Sequence, residues 1–344
     1  MSAPSHRPDQ RPARPDDDAP IHVFFALQAQ SLATDWAGPA EALRIANQLL
    51  QGLGRPPRFV THFVGARAQA MTSVGVAVCG LQPLPTPAGL PPRSWIVLVG
   101  QAGSRIAVDN DEARALLDWL AGLRLAAGAV ELLTICAGTL LAAHAGLLRG
   151  RRVTTHHHHL DELRQAAPGA EVVANRVFVL DEPVCSSAGM TTGIDLMLDR
   201  IGRVCGEAVV AHIAQAMVLP LRRGPHDPEL SPFLAGRQHL HAALHRVQDA
   251  VGTDVAQAWD ATRMAAVACV SPRHLARLFH EHVGMAPLDY LSHIRLAVAR
   301  QNLATGCSVT QAAERAGFSS DTQLRRAWKR HRLPGTPASA LPGF

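Results

Sequence analysis

The chain contains no uncharged apolar run of the roughly 18 residues or more that a membrane-crossing helix needs. Its N-terminus also lacks the apolar core of a signal peptide, carrying prolines and Asp16-Asp17-Asp18 instead. Both absences lead us to expect a cytoplasmic protein with no membrane partner. The six cysteines (Cys79, Cys136, Cys185, Cys205, Cys269, Cys307) never fall at CxxC spacing, so neither a zinc motif nor a disulfide framework is expected, and no cofactor is implied. Charged residues are few, 18% beside 47% hydrophobic, so a chain of 344 residues can bury large cores and is expected to form two domains. Residues 1–20 have too few apolar groups to offset the entropy of ordering and are expected to be a disordered tail.

Net charge becomes informative once it is divided along the chain. Residues 260–335 hold eleven Arg or Lys against five Asp or Glu, a net of +6, whereas the whole chain is +5 and the remainder −1. A basic C-terminal surface suits phosphate binding; the alternative is a solvated arginine-rich face.

Residues 21–218 alternate apolar strands with helices. Strands are expected at Ile21–Leu27, Phe59–Val64, Val74–Val78, Ile96–Val99, Val130–Ile135 and Val153–Thr155, then at Glu171–Ala174, Val177–Leu180 and Val184–Ser186. Helices are expected at Gly38–Leu53, with Pro39 in the first turn, and at Asp111–Ala127, Gly138–Leu147, Thr191–Val204 and Glu207–Val218. This pattern indicates an α/β fold, a doubly wound, mostly parallel sheet of flavodoxin-like type covered on both faces. Residues 219–238 are polar and proline-rich and read as a linker, whose Arg222 and Arg223 face either DNA or solvent.

Residues 239–338 read as an all-α domain with two helix-turn-helix units. In the second unit Val309, Ala312, Ala313 and Ala316 keep helical spacing, Gly317 supplies the turn, and Ser319, Ser320 and Asp321 offer N-cap oxygens. Leu324, Ala327 and Trp328 then form an inward stripe, while Gln323, Arg325, Arg326 and Lys329 point outward. In the first unit Met264, Ala265 and Ala268 face inward, Cys269-Val270 turns, and Ser271-Pro272 starts a helix with Leu275, Leu278 and Phe279 inside. The amphipathic stretch Pro287–Leu303 would hold the two units at fixed separation over two successive major grooves. Base contacts are expected from Arg273, His274 and Arg277, and from Ser320, Gln323 and Arg326; Lys329 and Arg330 suit phosphates.

The run Ser271-Pro-Arg-His-Leu-Ala-Arg-Leu-Phe279, with Gly284, Pro287, Tyr290-Leu291, Arg295-Leu296, Ala299-Arg300, Ser308-Val309 and Gly317-Phe318, is similar to the AraC-type DNA-binding domain. Cys269 stands where that family usually has a turn glycine. Further upstream, Asp35-x-x-Gly38-Pro39-x-Glu41, Cys136-x-Gly138, Thr154-Thr155-His156 and Ser187-Ala-Gly-x-x-x-Gly-x-Asp195 resemble the PfpI-type, class I glutamine amidotransferase-like domain. The two together resemble the GlxA-like transcriptional regulators. The resemblance implies binding of double-stranded DNA, a small-molecule effector, a homodimer, and RNA polymerase as a further partner if the protein activates.

Chemistry in such a sheet belongs at the carboxyl ends of the strands. Cys136, at a strand-to-helix elbow, is expected to expose its sulfur toward a helix N-terminus and so to have a lowered pKa, with His156 at the next strand end. The effector pocket is expected to comprise Asp35, Trp36, Gly100, Gln101, Cys136, Ala137 and His156. Trp36 would offer a ring face to a cationic, nitrogenous effector, and Gln101 would narrow an oxyanion hole. The alternatives are a cysteine hydrolase or hydratase using Cys136 and His156, a redox sensor oxidised at Cys136, or an inert thiol with Asp35 as a helix cap. The run His156-His157-His158-His159 is expected to alternate along a strand, with His156 and His158 on one face and His157 and His159 on the other, poor geometry for a four-histidine site, so no specific metal site is expected; adventitious zinc or nickel binding and a satisfied structural run are the alternatives.

Overall fold

The structure is a computed structural model that describes residues 19–103, 105–219, 223–225, 227–234 and 236–340. All but the last two residues of the expected disordered tail, and Arg222 of the linker, lie outside the described residues. The chain divides between Glu229 and Leu230 into two compact units.

The first unit runs β1 (Ile21–Ala26), α1 (Ala33–Gly52), β2 (Phe59–Gly65), β3 (Gln69–Met71), β4 (Ala77–Cys79), β5 (Gln82–Pro83), β6 (Ser94–Leu98) and α2 (Asp111–Ala121). It continues through β7 (Val130–Ile135), α3 (Gly138–His144), β8 (Arg152–Val153), α4 (Leu160–Ala166), β9 (Glu171–Val172), β10 (Phe178–Asp181), β11 (Val184–Ser187), α5 (Thr191–Cys205) and α6 (Glu207–Ala216). Seven strands form one sheet in the order β10-β11-β7-β6-β1-β2-β5, all pairings parallel except β10 with β11. Every residue of β6 is buried, so the strand needs cover on both faces. Two helix groups, α1 with α5 and α6, and α3 with α2 and α4, supply that cover. The strand order reverses beside β1: the chain moves outward to β2 and β5 and then returns to β6 and β7. The carboxyl ends of β1, β6 and β7 therefore meet at the switch point where such sheets hold ligands.

Several local expectations are corrected. The helix expected from Gly38 begins at Ala33, so Asp35 lies in its first turn and Pro39 inside it. Residues 74–76 are the turn of a β3–β4 hairpin rather than a strand. The helix from Asp111 stops at Ala121, capped by Gly122. Thr154 and Thr155 leave β8, which pairs with β9 in a separate two-stranded sheet. His157–His159 form a 3-10 turn with His156 as N-cap, so the alternation expected of a strand does not apply to this run. The expected linker is also not free over its first half. Arg223 pairs with buried Asp195 at 2.6 Å, Asp227 accepts from Val177 N at 3.0 Å, and Glu229 holds His157 at 2.7 Å.

The second unit comprises α7 (Ala242–Thr253), α8 (Ala261–Ala268), α9 (Pro272–Val283), α10 (Pro287–Ala304), α11 (Val309–Arg315) and α12 (Asp321–Arg330). It holds two hydrophobic cores, and α10 serves both. Tyr290, Leu291 and Ile294 join Met264, Ala265, Ala268, Leu275, Leu278 and Phe279 in the first. Leu296, Ala299 and Leu303 join Ala312, Ala313, Phe318, Leu324 and Trp328 in the second. The Arg295 guanidinium ties the pair by donating to the carbonyls of Val255 and Gln257, beside the Gly317 turn.

Candidate functional site

At the switch point three expected residues converge. Asp35 is fully buried, its Oδ2 accepting from Gly100 N at 3.0 Å and its Oδ1 from Met190 N at 2.8 Å. Burial raises its pKa to about 6, against the pull of those two N–H groups. Cys136 sits at the elbow between β7 and α3 with φ +57°, a left-handed conformation costly for a residue with a side chain. A Cβ at Gly100 would lie 3.0 Å from Asp35 Oδ2 and 3.1 Å from Cys136 Sγ, so carboxyl and thiol flank one point. A Cβ at Gly189 would come within 2.4 Å of Cys136 Cβ, so the Gly189–Met190 loop closes over the sulfur from the other side.

The elbow cysteine is therefore covered, 5% exposed, rather than presented. Burial first, then the neighbouring Asp35 and Glu229 carboxyls, push its thiol up to about 12, and the Ala137 N–H only partly opposes this. This corrects the expectation of a lowered pKa. Among the described residues no hydrogen bond joins Cys136 Sγ to His156, whose Nδ1 instead faces His158 N at 3.4 Å. Burial and the rings of His157, His158 and His159 lower the His156 pKa to about 4. The Gly100 N–H that an oxyanion would need is already held by Asp35. The raised thiol thus has no hydrogen-bonded base among the described residues, and Asp35 occupies the Gly100 N–H.

The remaining pocket candidates divide. Ala137 is buried and starts α3. Gln101 does not reach into the site: its side chain donates to Ala29 O at 2.9 Å and accepts from Ala107 N at 2.8 Å, pinning the surrounding loops. Trp36 packs edge-on with Phe63 at 5.6 Å between ring centroids, and its buried indole nitrogen has no hydrogen-bond partner among the described residues. Glu41 is half exposed and paired with Arg44 along α1. Sequence reasoning missed Met190 and Glu229 as site residues. The Ser187-Ala-Gly motif pointed to the first, whereas nothing local marked Glu229, 72 residues from its partner His157.

The second unit presents two helices of the expected kind. Ser271 caps α9 by accepting from His274 N, and Arg273, His274 and Arg277 are exposed on it. Among the described residues the side chains of Arg273 and His274 have no hydrogen-bond or ion-pair partner, while Arg277 reaches Glu281 at 3.3 Å across the helix surface. Ser320 caps α12 by accepting from Gln323 N, so its hydroxyl already has a structural task. The Gln323 side-chain oxygen accepts from Ser319 N at 2.7 Å, Arg330 pairs with Asp289 at 2.6 Å, and Arg326 and Lys329 are exposed. Arg223 of the linker donates to Asp195 at 2.8 Å within the first unit. No helix among the described residues is long and apolar enough to cross a membrane.

Comparison with known proteins agrees with both halves. A helix-turn-helix domain model matches residues 264–333, and the DJ-1/PfpI family model matches residues 95–202. The chain is 29% identical over 309 residues to the HTH-type transcriptional regulator GlxA of Rhizobium meliloti, covering 90% of this chain and 92% of that one. It is 26% identical over 320 residues to the regulator GbdR of Pseudomonas aeruginosa, covering 92% and 83%. It is also 32% identical over 210 residues to the isonitrile hydratase of Pseudomonas putida, covering 60% of this chain and 81% of that enzyme. With tandem helix-turn-helix units behind a DJ-1/PfpI-type sheet domain, this chain belongs to the GlxA-like, AraC-type family of DNA-binding transcriptional regulators.

Proposed function

We propose that the sheet domain is a non-catalytic receptor for a small cationic effector, an amine or the ammonium group of an amino acid, and that its occupancy governs DNA binding. The observation that carries this reading is Asp35. Its carboxyl is fully buried at the carboxyl ends of the central strands, where among the described residues only two backbone N–H groups hold it and no basic side chain pairs with it. A buried carboxyl without a counter-charge stays protonated to unusually high pH. An arriving ammonium group supplies that charge, so binding and ionisation of Asp35 favour each other. The raised thiol of Cys136 and the engaged Gly100 N–H speak against the hydratase or hydrolase reading.

The DNA-facing residues in this proposal are Arg273, His274 and Arg277 of α9, and Gln323 and Arg326 of α12, at base edges. Ser320, Lys329 and Arg330 are assigned to phosphates. An 18-residue α10 is about 27 Å long at ~1.5 Å per residue, a spacing that suits successive major grooves on one side of the duplex. The active form is taken as a homodimer, with RNA polymerase as a partner in activation.

Thermal unfolding of the full chain against a panel of primary and quaternary amines, amino acids and simple carboxylic acids tests the effector class. A bound ligand at 100 times its Kd stabilises by about 2.7 kcal/mol. Amines are expected to stabilise the wild type and not Asp35→Asn. Stabilisation by carboxylic acids alone, or an amine response that persists in Asp35→Asn, contradicts the assignment.

A further inference from the structure

We propose that the turn His156–His158 is a binding site for one divalent transition-metal ion of the zinc, nickel and copper group, with Glu229 as the outer carboxylate that orients the His157 ligand. The ligand atoms of His156, His157 and His158 all lie within 4.8 Å of one another. The three rings form a compact triangle, with centroids 4.1 Å apart for His156 and His157, 4.3 Å for His157 and His158, and 4.9 Å for His156 and His158. Nitrogen ligands at about 2.0–2.1 Å from a tetrahedral zinc stand roughly 3.4 Å apart. The turn thus needs a closing movement on the order of 1 Å, and the exposed His158 ring is free to make most of it.

The surroundings are those of a built site rather than a loose histidine run. Glu229 Oε1 takes both the His157 backbone N–H, at 3.1 Å, and His157 Nδ1, at 2.7 Å. A carboxylate on Nδ1 fixes that nitrogen as the donor and leaves Nε2 with its lone pair for a metal, the usual outer arrangement of metal-bound histidines. His159, buried beneath the turn, is anchored by Glu162 at 2.8 Å and keeps the base of the turn in place. The 3.4 Å contact from His158 N to His156 Nδ1 is at the long end for a hydrogen bond and gives way on ligation. Three imidazoles exclude magnesium and calcium, which take oxygen ligands, and match the borderline ions that prefer nitrogen. Three protein ligands leave one coordination position for water or an exogenous donor.

Isothermal titration of the metal-free full chain with ZnCl2 at pH 7.5 tests the site. One tight Zn2+ per chain is expected, lost in His157→Gln and in His158→Gln, and weakened about 10–100-fold in Glu229→Gln. His239→Gln, in the second unit, is expected to leave that site unchanged. Retention of the tight site in His158→Gln, or binding that does not respond to Glu229→Gln, overturns the proposal and marks the run as an adventitious chelator. Circular dichroism of each variant separates loss of a ligand from loss of fold.

Discussion

The two helix-turn-helix units make the same turn with different residues, and this sets up a paired test. Gly317 has φ +79° and Cys269 has φ +57°. In the second unit the turn is also crowded: a Cβ on Gly317 would stand 2.7 Å from Ala256 Cα, 2.8 Å from Val255 O and 3.0 Å from Arg295 Nε. Two of those three atoms are backbone and cannot swing aside. For Gly317→Ala the left-handed conformation costs about 1–2 kcal/mol, and displacing packed neighbours adds about 1–3 kcal/mol. We predict a total of about 2–5 kcal/mol. Cys269 is exposed, so Cys269→Gly loses no packing. Relief of the same conformational cost, offset by about 0.5–1 kcal/mol for glycine's freedom in the unfolded chain, leaves a change of about 0–1.5 kcal/mol toward stability. Urea unfolding combined with hydrogen exchange of α11 and α12 peptides reads the first variant, and of α8 and α9 peptides the second. If Gly317→Ala stays within about 0.5 kcal/mol of wild type, the limit for a neutral surface change, the account of this turn is refuted.

Arg277→Ala is predicted to cost about 1–3 kcal/mol on the cognate site and to relax preference at one base pair, whereas Lys329→Ala weakens all sequences alike and lowers the salt slope by about one; competition binding on a mutated-operator panel separates them. The Asp35 pKa is raised from 3.8 to about 6, so the folded state binds the extra proton. Wild-type stability is thus predicted to fall as pH rises from about 4 through 6, by on the order of 3 kcal/mol. Asp35→Asn should remove that pH dependence in denaturant titrations; an unchanged slope would place the titrating group elsewhere. Cys136, buried with its thiol pushed up to about 12, is predicted to alkylate with iodoacetamide at pH 7.5 at least 100-fold more slowly than exposed Cys79 and Cys269. Peptide mapping that finds Cys136 modified first would restore the nucleophile reading.

The DNA-binding half was legible because its signals are local. Ser271-Pro272 and Ser320 each mark a helix start within one turn, and the structure uses both. The sheet was legible from its apolar strands for the same reason. The site was less so, since what closes it comes from far along the chain. Met190, 155 residues from Asp35, caps the carboxyl, and Gly189 covers a sulfur that the elbow alone would have presented. Glu229 turned a histidine run that looked like strand into a pinned 3-10 turn. The start of α1 was misread because Leu32, its N-cap, offers no capping side chain. Gly38-Pro39 looked like a beginning, whereas Gly38 lets the helix approach Ile194 of α5, where a Cβ would come within 2.7 Å.

Sequencing of genomic fragments captured by the purified full chain at near-physiological salt tests the central claim most directly, because nonspecific phosphate binding weakens steeply there while specific binding persists. The account predicts a recurring motif with two half-sites about one helical turn apart, lost when Arg277 and Arg326 are both replaced by alanine. Capture that shows no motif, with and without the amines that stabilise the sheet domain, would contradict it.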